Sequence, residues 1–273
     1  MAKRSPASTR PLALITGASA GIGAAFARAY AARGYDLALV ARRADRLEAL
    51  GAELSAAHGI DAFAVPADLA GFEAHVAVLA AVAARGRVVD TLVNNAGFSI
   101  AQSFVGVPWD RQRDFLMTLV VSACGLAHGV IPGMVERRRG SIVNVGSLAA
   151  FAPGVAGHSL YPGAKSLMVS FSQALAAELK GTGVKVTVTC PGFTLTEFAE
   201  ANGTKAIMDE APRRLFQTAE QVVAETLRAN DRGQVIVVPG LHNKIAAAVL
   251  RYMPQPVLMA ILNRASAKYH LED

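Results

Sequence analysis

The chain has 273 residues, with 27 Lys+Arg against 21 Asp+Glu and a formal net charge of +6. Hydrophobic residues make up 52% and charged ones 18%, with a mean hydropathy of +0.33. This excludes a disordered chain and predicts a large core with apolar surface left over for contact between subunits.

Cys124 and Cys190 are too few for a disulfide framework and fit a reducing compartment, the cytoplasm. The basic residues are spread thinly, clustering only at Arg42-Arg43 and Arg137-Arg138-Arg139. With no basic recognition helix, nucleic acid is not expected as a partner. Residues 1–10 lack an apolar stretch before a cleavage site and read as a flexible tail. Residues 115–135 contain no Asp, Glu, Lys or Arg and are long enough to cross a bilayer. Thr118, Ser122, Gly125, His128, Gly129, Pro132 and Gly133 interrupt them, so a buried helix is expected, partly at an oligomer interface.

In chain order the rhythm is strand, turn, helix. A first strand over 12–16 runs into Gly17-Ala18-Ser19-Ala20-Gly21-Ile22-Gly23, and an Ala-rich helix follows to about Arg33, closed by Gly34. Strands are predicted at 37–41, 62–65, 91–94, 141–145, 185–189 and 234–238. Helices are predicted at 45–58, 72–84, 109–137, 160–180 and 219–230. Apolar strands alternating with helices predict an α/β fold, a Rossmann-like doubly wound parallel sheet of about seven strands with helices on both faces. One domain over 11–240 carries a C-terminal extension over 241–273. Residues 242–271 should form two short helices broken at Pro254 and Pro256. Ile245, Val249, Leu250 and Met253, then Val257, Leu258, Ile261 and Leu262, supply apolar faces there, with Lys244, Arg251, Arg264 and Lys268 opposite. That segment is expected over the substrate mouth or a partner subunit. An anionic membrane surface is the less favoured alternative.

A glycine-rich turn between a first strand and helix lets backbone approach a pyrophosphate, with the helix N-terminus supplying N–H donors. The spacing Gly17-x-x-x-Gly21-x-Gly23 in that place points to a dinucleotide. The second strand ends Leu39-Val40-Ala41-Arg42-Arg43. Ala41 stands where an NAD site usually has a carboxylate for the ribose, and Arg42 can neutralise a 2′-phosphate, so NADP(H) is expected. Tyr161 and Lys165, four apart on a helix, share a face, and a cation beside a phenol lowers its pKa toward use as a proton donor and acceptor. Ser147 follows a strand at the sheet edge where such folds hold ligands. The six histidines lack metal-ligand spacing, so no metal site is expected.

From about residue 11 to 240 the chain resembles a classical short-chain dehydrogenase/reductase. The resemblance rests on Thr16-Gly17-Ala18-Ser19-Ala20-Gly21-Ile22-Gly23, Asn94-Asn95-Ala96-Gly97, Ser147, Tyr161-x-x-x-Lys165 and Pro191-Gly192-Phe193-Thr194. It implies Tyr161 as general acid/base and Ser147 as the hydroxyl that orients a carbonyl. It implies that Lys165 depresses the tyrosine pKa and holds the nicotinamide ribose. Asp68 is implied near the adenine, Asn94, Ala96 and Gly97 along the cofactor, and Pro191, Gly192 and Thr194 at the carboxamide. The implied partners are a small carbonyl or alcohol substrate and further copies of the chain, as homodimer or homotetramer. Residues 195–216, including Ala201, Ile207, Met208 and Phe216, are implied to cover the substrate. One position departs: Leu119 stands where the family usually has an asparagine completing a tetrad. The backbone or Ser122 would then take its place; the alternative is a weakly active or non-catalytic NADP(H)-binding homologue.

Overall fold

The computed structural model describes residues 9–154, 156–202 and 211–266. Seven parallel strands form one sheet: β1 (Leu12–Thr16), β2 (Asp36–Ala41), β3 (Ala62–Pro66), β4 (Thr91–Asn94), β5 (Gly140–Val145), β6 (Val184–Thr189) and β9 (Ile236–Val237). Their order is β3-β2-β1-β4-β5-β6-β9. The order turns back at β1, which pairs with β2 on one side and β4 on the other. Ligands bind such sheets outside the strand C-termini at that reversal.

Alternation along β1 explains the two cores. Leu12 and Leu14 face a layer shared with Val78, Leu126, Met134 and Leu175, while Ala13 and Ile15 face one shared with Phe26, Leu47 and Leu227. Burying each leucine is worth about 1.5–3 kcal/mol, which fixes the register of the central strand against both layers. The first layer holds α3 (Ala74–Ala84), α5 (Ser122–Glu136) and α6 (Tyr161–Glu178). The second holds α1 (Gly21–Ala32), α2 (Ala44–His58) and α8 (Ala219–Asp231). At the far sheet edge the Asp36 carboxylate accepts a bond from buried Arg87 at 2.7 Å, anchoring the start of β2 away from the ligand edge.

The expected helix over 109–137 is one 28-residue helical run, Trp109–Glu136, apolar enough by composition to cross a membrane. It supplies Phe115, Leu119, Leu126 and Met134 to the interior as a core helix. Within it, α4 (Trp109–Leu116) and α5 are joined by a π turn, Met117–Val121, where the Ser122 N–H reaches the Met117 carbonyl five residues back. The expected strand over 234–238 shrinks to two residues. A second small sheet pairs β7 (Thr194–Leu195) with β8 (Gln217–Thr218). After β7 comes one short helix, α7 (Phe198–Ala201).

The C-terminal helices form as expected, α9 (Leu241–Tyr252) and α10 (Gln255–Ser266). Of the residues of their expected apolar faces, only Leu258 is buried within the described chain. Ile245, Val249, Val257 and Ile261 are exposed, and α9 instead buries Asn243 and Ala247. Polar anchoring sets that rotation: the Asn243 amide donates to Gln217 Oε1 at 2.9 Å and to the Pro239 carbonyl at 2.8 Å. Residues 1–8 of the expected tail over 1–10, residues Ile207 and Met208 of the expected cover, and Lys268 lie outside the described residues.

Candidate active site

β1 ends in Thr16, whose buried hydroxyl donates to the Val93 carbonyl at 3.2 Å and accepts the Asn95 and Ala96 N–H groups at 2.9 and 3.0 Å. Asn95 returns its amide to the Thr16 carbonyl at 2.8 Å. These bonds lock the Asn94-Asn95-Ala96-Gly97 turn beside the glycine-rich turn. Gly17 has φ +67, and a Cβ there would lie 2.6 Å from Asn95 Nδ2; a Cβ on Gly23 would run into the Gly17 carbonyl. Only glycine permits this approach. The first turn of α1 carries no acid and no side-chain cap, leaving its positive end for an anion beside Ser19, Gly21 and Ile22. This cradle, at the strand reversal, fits a dinucleotide.

At the end of β2, Arg42 is exposed, and the bonds to the turn come from its neighbour. Arg43 donates to Ser19 Oγ through Nη2 at 2.9 Å and Nε at 3.3 Å. Asp68 follows β3, exposed, accepting the Ala70 N–H at 3.1 Å, while the Ala67 N–H bonds to the Ala41 carbonyl at 3.0 Å. It therefore lies along the same rim as the arginines. Asn94 is buried and donates to the Ala123 carbonyl and Asn144 Oδ1, both at 3.0 Å; Asn144 passes the chain to Ser172 at 2.9 Å. That network joins β4, β5 and α6.

Ser147 follows β5, positioned by the Gly146 N–H on the Thr189 carbonyl at 2.7 Å, and its Oγ caps the next turn by accepting the Ala149 N–H at 3.1 Å. The same side chain lies beside Tyr161, where its hydroxyl favours the phenolate. Lys165 is 7% exposed, and its Nζ donates to the Val145 carbonyl at 2.8 Å, 5.7 Å from the centre of the Tyr161 ring. The three expected catalytic side chains converge. Burial pulls the Lys165 ammonium down to about 8. The expected lowering of the tyrosine pKa is corrected for this state: burial raises the phenol above its ordinary value, opposed by the nearby Ser147 hydroxyl. The lysine proton is spent on a carbonyl and stands off the ring, so desolvation wins.

Leu119 is 4% exposed, packed with Phe115 and Ala164 and against Gly97. It shares a cavity with Asn94, Thr118 and Lys165, beside the π turn. Ser122 is not a substitute for the missing amide, because its hydroxyl donates to the Leu69 carbonyl at 2.7 Å. A second cavity opens beside Tyr161, lined by Ile100, Gln102, Gln112, Phe115, Ser159 and Leu160. Past β6, the Leu148 N–H holds the Pro191 carbonyl at 2.9 Å, and Thr194 Oγ1 donates to the Gly192 carbonyl at 3.1 Å. A Cβ on Gly192 would strike Asn243, so α9 backs this turn. Asn95, Arg43 and Asn243 are the supports that motif spacing did not assign; a strand-end arginine pair and an asparagine doublet were the only signals. Among the described residues no cluster of His, Cys, Asp and Glu suits a metal.

The sequence profile of the short chain dehydrogenases matches residues 11–207. Serine 3-dehydrogenase of Rhizobium radiobacter is 38% identical over 187 residues, 68% of this chain and 72% of that protein. The NADP-dependent 3-hydroxy acid dehydrogenase of Salmonella typhi is 35% identical over 193 residues, 69% of this chain and 75% of that protein. Among solved structures, a short-chain dehydrogenase from Sphingobium yanoikuyae in complex with NADPH superposes with a TM-score of 0.78 at 33% identity, covering 91% of this chain and 95% of that one. With this coverage, and with the glycine cradle and the Ser147, Tyr161 and Lys165 cluster in one fold, the chain belongs to the classical short-chain dehydrogenase/reductase family and is an oxidoreductase of that family.

Proposed function

We propose that the protein interconverts a carbonyl compound and an alcohol with NADP(H), Tyr161 acting as general acid/base. The observation that carries this reading is the convergence of Ser147, Tyr161 and Lys165 beside the glycine cradle. When bound, the nicotinamide supplies or accepts the hydride, and the chain contributes binding, orientation and one proton. Gly17, Ser19, Gly21, Ile22 and Gly23 would hold the pyrophosphate, and Arg42 and Arg43 the 2′-phosphate. Asp68 stands near the adenine. Asn94, Ala96, Gly97, Pro191, Gly192 and Thr194 line the remainder. A phenol kept protonated by burial donates to the substrate oxygen, Ser147 Oγ orients that oxygen, and Lys165 steadies the phenolate left behind.

The lining beside Tyr161 carries no charged side chain, which supports a neutral substrate. Two free cysteines support a cytoplasmic protein, and the extra apolar surface supports a homodimer or homotetramer rather than membrane or nucleic-acid contact. The test is a titration of both cofactors, followed by NADPH oxidation against a panel of neutral aldehydes and ketones. NADPH should bind about tenfold to a hundredfold more tightly than NADH, as loss of a charge-assisted contact implies, with turnover on at least one ketone. Equal affinities would refute the cofactor assignment.

A further inference from the structure

The segment that carries Thr194 does more than edge the substrate side. It is tied at one end by the pairing of β7 with β8, and at the other by the Ser99 N–H, which donates to Asn202 Oδ1 at 2.8 Å. Between those ties Thr196 packs against Gly21 of the pyrophosphate cradle, and the next residue is Glu197. Its carboxylate accepts two bonds from Arg46 Nη1, at 2.9 Å to Oε1 and 2.8 Å to Oε2, and one from Arg43 Nη1 at 3.3 Å. Arg43 is the residue that also binds Ser19. An acid from the substrate-side segment thus sits on the cations that face the cofactor's adenosine end.

We propose that Glu197 is an internal competitor for the cofactor's 2′-phosphate, so that a phosphorylated cofactor displaces it and unlatches the 194–202 segment. This rests on the NADP(H) reading above. A phosphomonoester brings about −1.5 to −2 charge and three acceptor oxygens where the carboxylate brings −1 and two, so it wins Arg43, the arginine they share. The neutral 2′-hydroxyl of NADH leaves the carboxylate in place. Glu197 therefore lowers NADPH affinity, leaves NADH affinity alone, and makes the position of the segment depend on which cofactor is bound.

The test compares wild type with Glu197→Gln, which keeps the side chain's size and removes its charge. Glu197 is half exposed, and exposed ion pairs each shift an equilibrium by only about 1.4-fold to fivefold. The two together predict NADPH binding about threefold to tenfold tighter in the variant, with NADH unchanged to within about twofold. A second readout avoids the nicotinamide altogether. In wild type, adenosine 2′,5′-bisphosphate should speed amide hydrogen exchange across 194–202 and 5′-AMP should not; in Glu197→Gln, exchange there should already be fast without ligand. If wild type prefers NADPH but the variant binds it equally or more weakly, Glu197 does not compete and the inference fails while the cofactor reading stands. If wild type binds both cofactors alike, both fail.

Discussion

Lys165 is the side chain whose environment departs furthest from water at the site. Unfolded, its ammonium titrates near 10.5; folded, burial brings it to about 8. Between those values the unfolded chain holds a proton that the folded chain has released, so stability rises with pH across the window. The cost of burying the charge is present in full below about pH 8, with a ceiling of about 3 kcal/mol. Chemical denaturation of wild type and Lys165→Met at pH 7 and pH 10.5 measures it: wild type should gain on the variant at the higher pH. A constant difference would mean that the lysine is solvated. The nearness of Lys165 to Tyr161 was legible from their four-residue spacing, but its bond to Val145 was not, because no local pattern says which carbonyl a buried lysine will find. Likewise Arg42 and Arg43 were legible as a pair, while the bonds to Ser19 go to Arg43. A one-residue choice at the end of a strand depends on how the chain leaves the sheet.

At the scale of elements, the helix interrupted at Met117–Val121 decides what Leu119 means. A π turn breaks the regular hydrogen-bond ladder, so a backbone group there can hold a relay water without a side-chain amide. Leu119→Asn should then change turnover by no more than about tenfold, equivalent to about 1.4 kcal/mol. It should also lower the melting temperature, since a buried leucine against Gly97 and Ala164 is lost, typically at about 2–5 kcal/mol. A gain of a hundredfold or more would show that the amide itself is required. The sequence marked the position by its departure from the family pattern. It could not mark the π turn, because residues 117–121 run without a break into the uncharged α5, and an apolar composition serves a π turn and an α-helix alike. The two-residue strands β7 and β8 were also invisible, being too short to show alternation.

For the whole molecule, the doubly wound parallel sheet and its two-sided core followed from apolar runs alternating with helical periods, because strands covered on both faces are apolar on both. The C-terminal pair shows where that reasoning stops. The amphipathic pattern was plain, yet which stripe faces inward is set by Asn243 meeting Gln217 and Pro239, contacts distant in sequence. The result is an outer surface with Leu241 74% and Tyr252 81% exposed, next to Ile245 and Val249; elsewhere Val121 and Leu167 are exposed on the core helices. These surfaces are the ones expected to be covered by further copies of the chain. Light scattering should give a multiple of 28.5 kDa across micromolar concentrations. A mass near 28.5 kDa throughout would refute the assembly, and loss of protein to anionic liposomes, reversed by truncation after Gly240, would assign the outer face to a membrane instead.

One side chain, Tyr161, carries the proton transfer proposed for the protein. Tyr161→Phe removes a single oxygen and keeps the ring that packs near Phe115 and His158. NADPH oxidation with the best carbonyl substrate should fall by about 10²–10⁴-fold, the usual worth of a positioned general acid, while fluorescence titration finds NADPH bound as in wild type. Full activity in Tyr161→Phe would contradict the mechanism at its centre.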